Sequence, residues 1–242
     1  MPSRHHNTVD RITAILEEVA LEPSGMTLTV LAKLIDAPTS SVQGFVNGLV
    51  ACGYLVEADR RYFLGPGPYI LTLRANRMPA RTVDHQDLVV LADRTDCSVL
   101  LGVRMGDDVV YVDDVGDSPE VQFVAKARTR RPLLETASGK IVLAEMPEEE
   151  LLRFLRNSPD RDLVSEFLRE VPMIRKTGIA VNPNSTVPGG SAIGARVEDN
   201  RGEFVAAVTL VGRSEEIQPR FDELAAILIE TTASWNNRRR SD

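Results

Sequence analysis

Ser138-Gly139-Lys140 sets a lysine behind a glycine, as the end of a phosphate-binding loop does. The G-x-x-x-x-G-K spacing, however, would need a glycine where Leu134 stands. Gly189-Gly190-Ser191 puts a serine beside glycines, but without the G-x-S-x-G elbow that exposes a nucleophile. The histidines are His5, His6 and His85, and two of them sit in a polar N-terminal stretch. Any His-based triad or metal centre would therefore rest on His85 alone. Asp107, Asp108, Asp113 and Asp114 in DDVVYVDD could face a cation, though a charged turn and a polar strand edge explain them more simply. Cys52 and Cys97 make neither a disulfide framework nor a metal spacing. These residues predict no catalytic set, no cofactor and no metal, so an enzyme is not expected.

A different chemistry is available between Thr27 and Val50. Leu28, Leu31, Leu34 and Ile35 recur at helical spacing, as do Val42, Phe45, Val46, Leu49 and Val50. Asp36, Ala37 and Pro38 separate the two runs and suit a tight turn before a new helix. This is the layout of a helix-turn-helix. Ser40, Ser41, Gln43, Gly44 and Asn47 lie opposite the apolar stripe of the second helix. Such short polar groups match the hydrogen-bonding edges of bases in a DNA major groove. From these residues alone, an ordinary helical hairpin with a solvated face is the better account, because amphipathic helix pairs are common.

The surrounding elements favour the first reading. Val9, Ile12, Leu16 and Val19 mark a helix that ends before Pro23. After Gly53, Tyr54-Leu55-Val56 and Tyr62-Phe63-Leu64 are β-prone, and Arg60 and Arg61 fall at the turn between them. Three helices and a hairpin with a basic turn make a winged helix-turn-helix. Gly65 to Pro68 then break the chain, and Tyr69 to Arg77 resume a helical pattern as a connector. Helices are expected over 83–95, 136–145, 148–156, 162–174 and 219–235, and strands over 98–104, 109–115, 121–125, 178–181, 191–197 and 204–212. The fold class is α+β: a winged helix-turn-helix, a connector helix, and a mixed domain with a central sheet of antiparallel type.

Composition agrees with a globular chain: 43% apolar and 26% charged residues, with no apolar run near the length of a membrane span. The absence of a signal-like N-terminus points to the cytoplasm. The net charge is −7, yet residues 1–78 hold seven basic and seven acidic side chains, so the remainder carries the deficit. A neutral module beside an acidic one predicts modest non-specific DNA affinity, because Lys and Arg contacts to phosphates supply most of it.

In order and content these parts resemble the IclR family of bacterial transcriptional regulators. CGYLVEADRRYFLGP is similar to the family's Gly-Tyr, wing and Leu-Gly sequence. LLGVRMGDDVVYVDDVG resembles its opening strand pair, and PLLETASGKIVLAEM its Gly-Lys signature. GIAV and SAIGARVEDNRGEFVAAVTLVG resemble its closing strands. Departures are Asp36 for a turn glycine, Gly44 for a recognition-helix arginine, Leu134 for a signature histidine, and NPNSTVPGG, which lacks the usual acidic residues. The resemblance implies a DNA-binding domain over 1–68, a linker helix over 69–79 and an effector-binding domain over 80–242. It implies that Thr39, Ser40, Ser41, Gln43, Gly44, Asn47, Arg60 and Arg61 meet operator DNA. It also implies that Ala137, Ser138, Asn182, Ala192 and Thr209 line a pocket for a small organic or aromatic acid. The free N–H groups of Ala137 and Ser138 would lie at a helix N-terminus, which favours an anion. A homodimer or homotetramer is implied too, since one short recognition helix reads few bases. The alternative is a small-molecule sensor whose degenerate helix-turn-helix serves mainly for dimerisation.

Overall fold

The computed structural model describes residues 7–75, 82–116, 130–183 and 189–238. The chain divides into two units, Met1–Met78 and Pro79–Asp242.

In the first unit, helix α1 spans Asn7–Leu21, α2 Leu28–Leu34 and α3 Thr39–Ala51. The Thr27 side chain caps α2 by accepting a hydrogen bond from the Val30 N–H. Asp36 adopts the left-handed conformation at φ 47°. That explains its place in the turn: after glycine, Asp and Asn are the residues best suited to this region. Ile15, Val19, Leu31, Val42, Val46, Leu55 and Tyr62 bury together as the core of the unit. Each helical run thus delivers its apolar stripe to one shared centre.

Strands β1 (Leu55–Ala58) and β2 (Arg61–Leu64) form the hairpin, paired from Leu55↔Leu64 to Ala58↔Arg61. The expected turn at Arg60-Arg61 is shifted by one residue. Asp59 and Arg60 make the two-residue turn, both at positive φ, 52° and 59°. Such a turn matches the twist of the strands and lets the ladder extend by one pair. Arg61 therefore belongs to β2. Helix α4 (Gly67–Ala75) follows and buries none of its residues.

Gly44 and Gly48 both lie within α3, and a Cβ built on either meets nothing within 4 Å. Neither is required by packing. Gly44→Ala and Gly48→Ala should each raise the stability of this unit by about 1 kcal/mol. Chemical denaturation checks this, and an unchanged midpoint would refute it.

In the second unit, α5 (His85–Thr95) begins in a capping box of Asp84 and Asp87. A six-stranded sheet follows, built from β3 (Ser98–Met105), β4 (Asp108–Val115), β5 (Arg131–Pro132), β6 (Ile179–Asn182), β7 (Gly190–Glu198) and β8 (Phe204–Arg213). Its order is β5-β4-β3-β8-β7-β6, and every pairing is antiparallel. The strand expected at 121–125 lies outside the described residues. Helices α6 (Ala137–Glu145), α7 (Glu148–Asn157) and α8 (Arg161–Thr177) precede β6. A short α9 (Ser214–Ile217) and α10 (Phe221–Arg238) close the chain.

Alternation along the strands supplies two faces. Ile193, Ala195, Val197, Val208 and Leu210 pack with Leu88, Leu91, Leu224, Leu228 and Trp235 from α5 and α10. On the opposite face, Val109 and Ala207 pack with Leu133, Ile141, Leu151, Phe167 and Ile174 beneath α6, α7 and α8. No described helix is long and apolar enough to cross a membrane.

Candidate nucleic-acid interface and ligand site

Helix α3 buries Val42 and Val46 and turns Thr39, Ser40, Gly44 and Asn47 to the surface. Ser41 and Gln43 flank that stripe, half-buried. The Gln43 amide donates to Asn47 Oδ1 at 2.7 Å, one helical turn away. This bond aligns both amides on one face and leaves each with further donor and acceptor capacity. Arg60 stands exposed at the tip of the hairpin. Arg61 is employed within the unit, its Nη1 donating to the Gly25 carbonyl at 2.7 Å.

In the second unit, the first turn of α6 lies directly on the sheet. Two glycines make the approach possible. A Cβ on Gly194 would stand 3.2 Å from Thr209 Oγ1 and 3.4 Å from the Ala137 carbonyl carbon. One on Gly102 would stand 2.8 Å from Val109 Cγ2 and 3.4 Å from Ser138 Cβ. Thr136 caps the helix by accepting from the Gly139 N–H at 2.9 Å. The N–H groups of Ala137 and Ser138 have no partner among the described residues, although both residues are at most 1% exposed. The Ser138 and Thr209 hydroxyls bond each other at 2.7 Å, and Ser138 Oγ also reaches Tyr111 Oη at 3.4 Å. Leu100, Tyr111, Ala137, Ala192 and Val211 form a small apolar cluster beside them.

Four of the five expected pocket residues are thus adjacent: Ala137, Ser138, Ala192 and Thr209. The fifth, Asn182, is the register partner of Ala192 on edge strand β6. Its amide donates to the Glu135 carbonyl at 2.7 Å, so the amide nitrogen is engaged inside the fold. Tyr111, Leu100 and Val211 were not foreseen. Tyr111 shares a strand face with Val109 at spacing two, but the sequence does not say which helix covers that face. Burial pushes the Tyr111 hydroxyl above its ordinary pKa, while the Ser138 hydrogen bond and the charge of Arg131 oppose the shift.

Lys140, one turn further along α6, is 2% exposed. Its Nζ lies 2.8 Å from Glu170 and 3.6 Å from Glu166, and it donates to the Val181 carbonyl at 3.4 Å. This lysine ties α6 to α8 and β6.

Four of the residues weighed for enzymatic chemistry, His85, Asp108, Asp113 and Ser191, have structural partners. His85 Nδ1 is 2.9 Å from Asp113 at the surface. Asp108 faces Arg130 at 3.8 Å. Ser191 donates to the Pro183 carbonyl at 2.8 Å and accepts from Gln218 at 3.1 Å. Among the described residues no three His, Cys, Asp or Glu side chains gather as metal ligands would.

Two family models match the chain. Bacterial transcriptional regulator IclR C-terminal matches residues 73–235, and the IclR helix-turn-helix domain matches residues 8–59. The regulator TtgV of Pseudomonas putida is 27% identical over 213 residues, covering 84% of this chain and 80% of its own. KipR of Bacillus subtilis is 24% identical over 234 residues, covering 90% and 89%. The Thermotoga maritima IclR structure covers 97% of this chain and 99% of its own, with a TM-score of 0.62 at 25% identity. An IclR homolog of Microbacterium hydrocarbonoxydans, solved with 4-hydroxybenzoate, shares the fold over 97% and 99%, with a TM-score of 0.76 at 19% identity. Both halves of the architecture are accounted for by one kind of protein: the chain belongs to the IclR family of bacterial transcriptional regulators.

Proposed function

We propose that this regulator docks on a pseudo-palindromic operator through α3 as a homodimer or homotetramer, and that a small organic or aromatic acid bound at α6 modulates the docking. The observation that carries the DNA half is the exposed stripe of Thr39, Ser40, Gly44 and Asn47, back to back with the buried Val42 and Val46. Gln43 and Asn47 read bases, and Arg60 meets the backbone. The ligand half rests on the N–H groups of Ala137 and Ser138, without an acceptor among the described residues, beside the Leu100–Tyr111–Ala192–Val211 cluster. The 4-hydroxybenzoate held by the Microbacterium homolog makes an aromatic acid the first candidate. DNA binding places the protein in the cytoplasm.

A genome-wide footprint of the full chain, repeated with 4-hydroxybenzoate, tests both halves. Gln43→Ala should relax sequence preference by about 1–3 kcal/mol at one base pair. Arg60→Ala should weaken all sequences alike and lower the salt dependence by about one charge. Competition binding at several salt concentrations separates the two effects. If Gln43→Ala keeps both affinity and preference, α3 is not the reader.

The sensor with a degenerate helix-turn-helix is favoured by one observation, the engagement of Arg61 with Gly25. It predicts a footprint no stronger at any locus than on random DNA.

A further inference from the structure

We propose that Arg131 is the charge partner of the ligand in this pocket and sets its preference for carboxylates over their neutral analogues. The inference rests on reading the pocket as the effector site.

Arg131 lies in β5 opposite Val109 of β4. Residues directly opposite in an antiparallel pair project to the same side. Val109 is fully buried on the face that α6 covers, and Tyr111, two residues on, lies on that face as well. Arg131 is therefore on the pocket side of the sheet. Its neighbour Arg130 reaches Asp108. Arg131 itself pairs with no described acidic side chain, and its Nε is buried without a hydrogen-bond partner.

A guanidinium half-buried in this way is costly unless something accepts from it. The charge of Arg131 is felt at the Tyr111 hydroxyl, which Ser138 Oγ reaches at 3.4 Å, and among the described residues no acidic side chain answers it. Two further donors, the Ala137 and Ser138 N–H groups, have no acceptor among the described residues at the start of α6. Two donors without acceptors among the described residues thus border the small apolar cluster, and Arg131 lies on the same face of the sheet, its charge acting on the cluster's Tyr111. A carboxylate answers all of them. One oxygen suits the backbone N–H pair, the other the guanidinium, and an aliphatic or aromatic body suits Leu100, Ala192 and Val211. A neutral amide in the same place would set its own N–H₂ donors against donors, and Arg131 would stay unneutralised.

The test is calorimetric titration of the full chain with benzoate, 4-hydroxybenzoate and butyrate, each alongside its amide. The proteins are the wild type, Arg131→Gln, Arg131→Lys, and two pocket variants, Ala192→Leu and Thr209→Val. Arg131→Gln should weaken acid binding by about tenfold to a hundredfold and leave the amide within about twofold. Arg131→Lys should recover part of the loss, because charge returns without the planar fork. Suppose Arg131→Gln keeps the wild-type ratio of acid to amide affinity while Ala192→Leu weakens both. The assignment of Arg131 is then wrong and the pocket stands. If no acid binds, or if neither pocket variant alters binding, the pocket reading fails and the role of Arg131 fails with it.

Discussion

Gly139→Ala should destabilise the second unit by about 3 kcal/mol or more, among the largest losses expected of any single methyl group in this protein. Gly139 sits in the first turn of α6, pressed onto the short 3-10 turn Leu133–Glu135 that precedes it. A Cβ there would lie 2.5 Å from Leu133 Cα and 2.6 Å from its carbonyl carbon, with the carbonyl oxygen closer still. All three are backbone atoms, so no rotamer change relieves the clash. Either α6 moves away from the turn or the turn unwinds. Both break the Thr136 cap on the Gly139 N–H and shift Ala137 and Ser138 off the sheet. The melting temperature should fall by roughly 6–12 °C for a domain of this size. Ligand binding at α6 should be lost in whatever fraction still folds. Differential scanning calorimetry decides the matter, and a variant that melts with the wild type would mean the close approach is not real. The Gly-Lys pair of the family signature thereby gains a physical reading. The glycine permits contact with Leu133, and the lysine fastens the next turn to Glu170.

Tyr69→Glu combined with Leu73→Glu should reduce operator affinity by about a hundredfold or more and lower the oligomer by at least one step. Helix α4 buries nothing within its unit, and Tyr69 and Leu73 are 65% and 56% exposed. They lie four residues apart on one helical face, next to the exposed Ile70 and Leu71. Contiguous exposed apolar side chains mark an interface, and a second copy is the occupant that the proposed oligomer supplies. The glutamates cost the isolated unit little, because both positions face water and glutamate is a good helix former. Their effect on DNA binding is multiplied, since two linked recognition helices bind far more tightly than one. Light scattering and competition binding on the same samples check both parts. An unchanged oligomer with unchanged affinity would remove α4 from the interface.

Much of the first unit was legible from its residues. The apolar repeats of 28–35 and 42–50, the break at Asp36 to Pro38 and the β-prone pairs around Arg60 are local signals. A helix or hairpin of this kind is specified by spacing within a few residues. The same locality explains the error at the wing. Neighbouring arginines carry no mark of which one turns and which one pairs, and the twist of the ladder chose Asp59 and Arg60. Asp36 shows the converse, for a departure from the family's glycine is accommodated by the short side chain that best tolerates φ 47°.

In the second unit, the residue types supplied β3, β4, β6, β7, β8 and the longer helices, but neither the short β5 nor any strand's neighbours. Which strand lies beside β3 is settled by a pairing across more than a hundred residues, with β8, and no periodicity reports it. That pairing brings Leu100 against Thr209, while the next, with β7, brings Thr209 against Gly194. Only then do Ser138, Thr209 and Tyr111 come within hydrogen-bonding distance. Side-chain commitments were likewise decided in three dimensions. Asn182 directs one amide donor to Glu135, Arg61 one of its guanidinium donors to Gly25, and Arg131 keeps a buried nitrogen without an acceptor among the described residues. Spacing in sequence determines the faces of an element, because side chains repeat with the backbone. A hydrogen-bond partner is chosen within a few tenths of an ångström, and that precision is reached only when distant segments have packed.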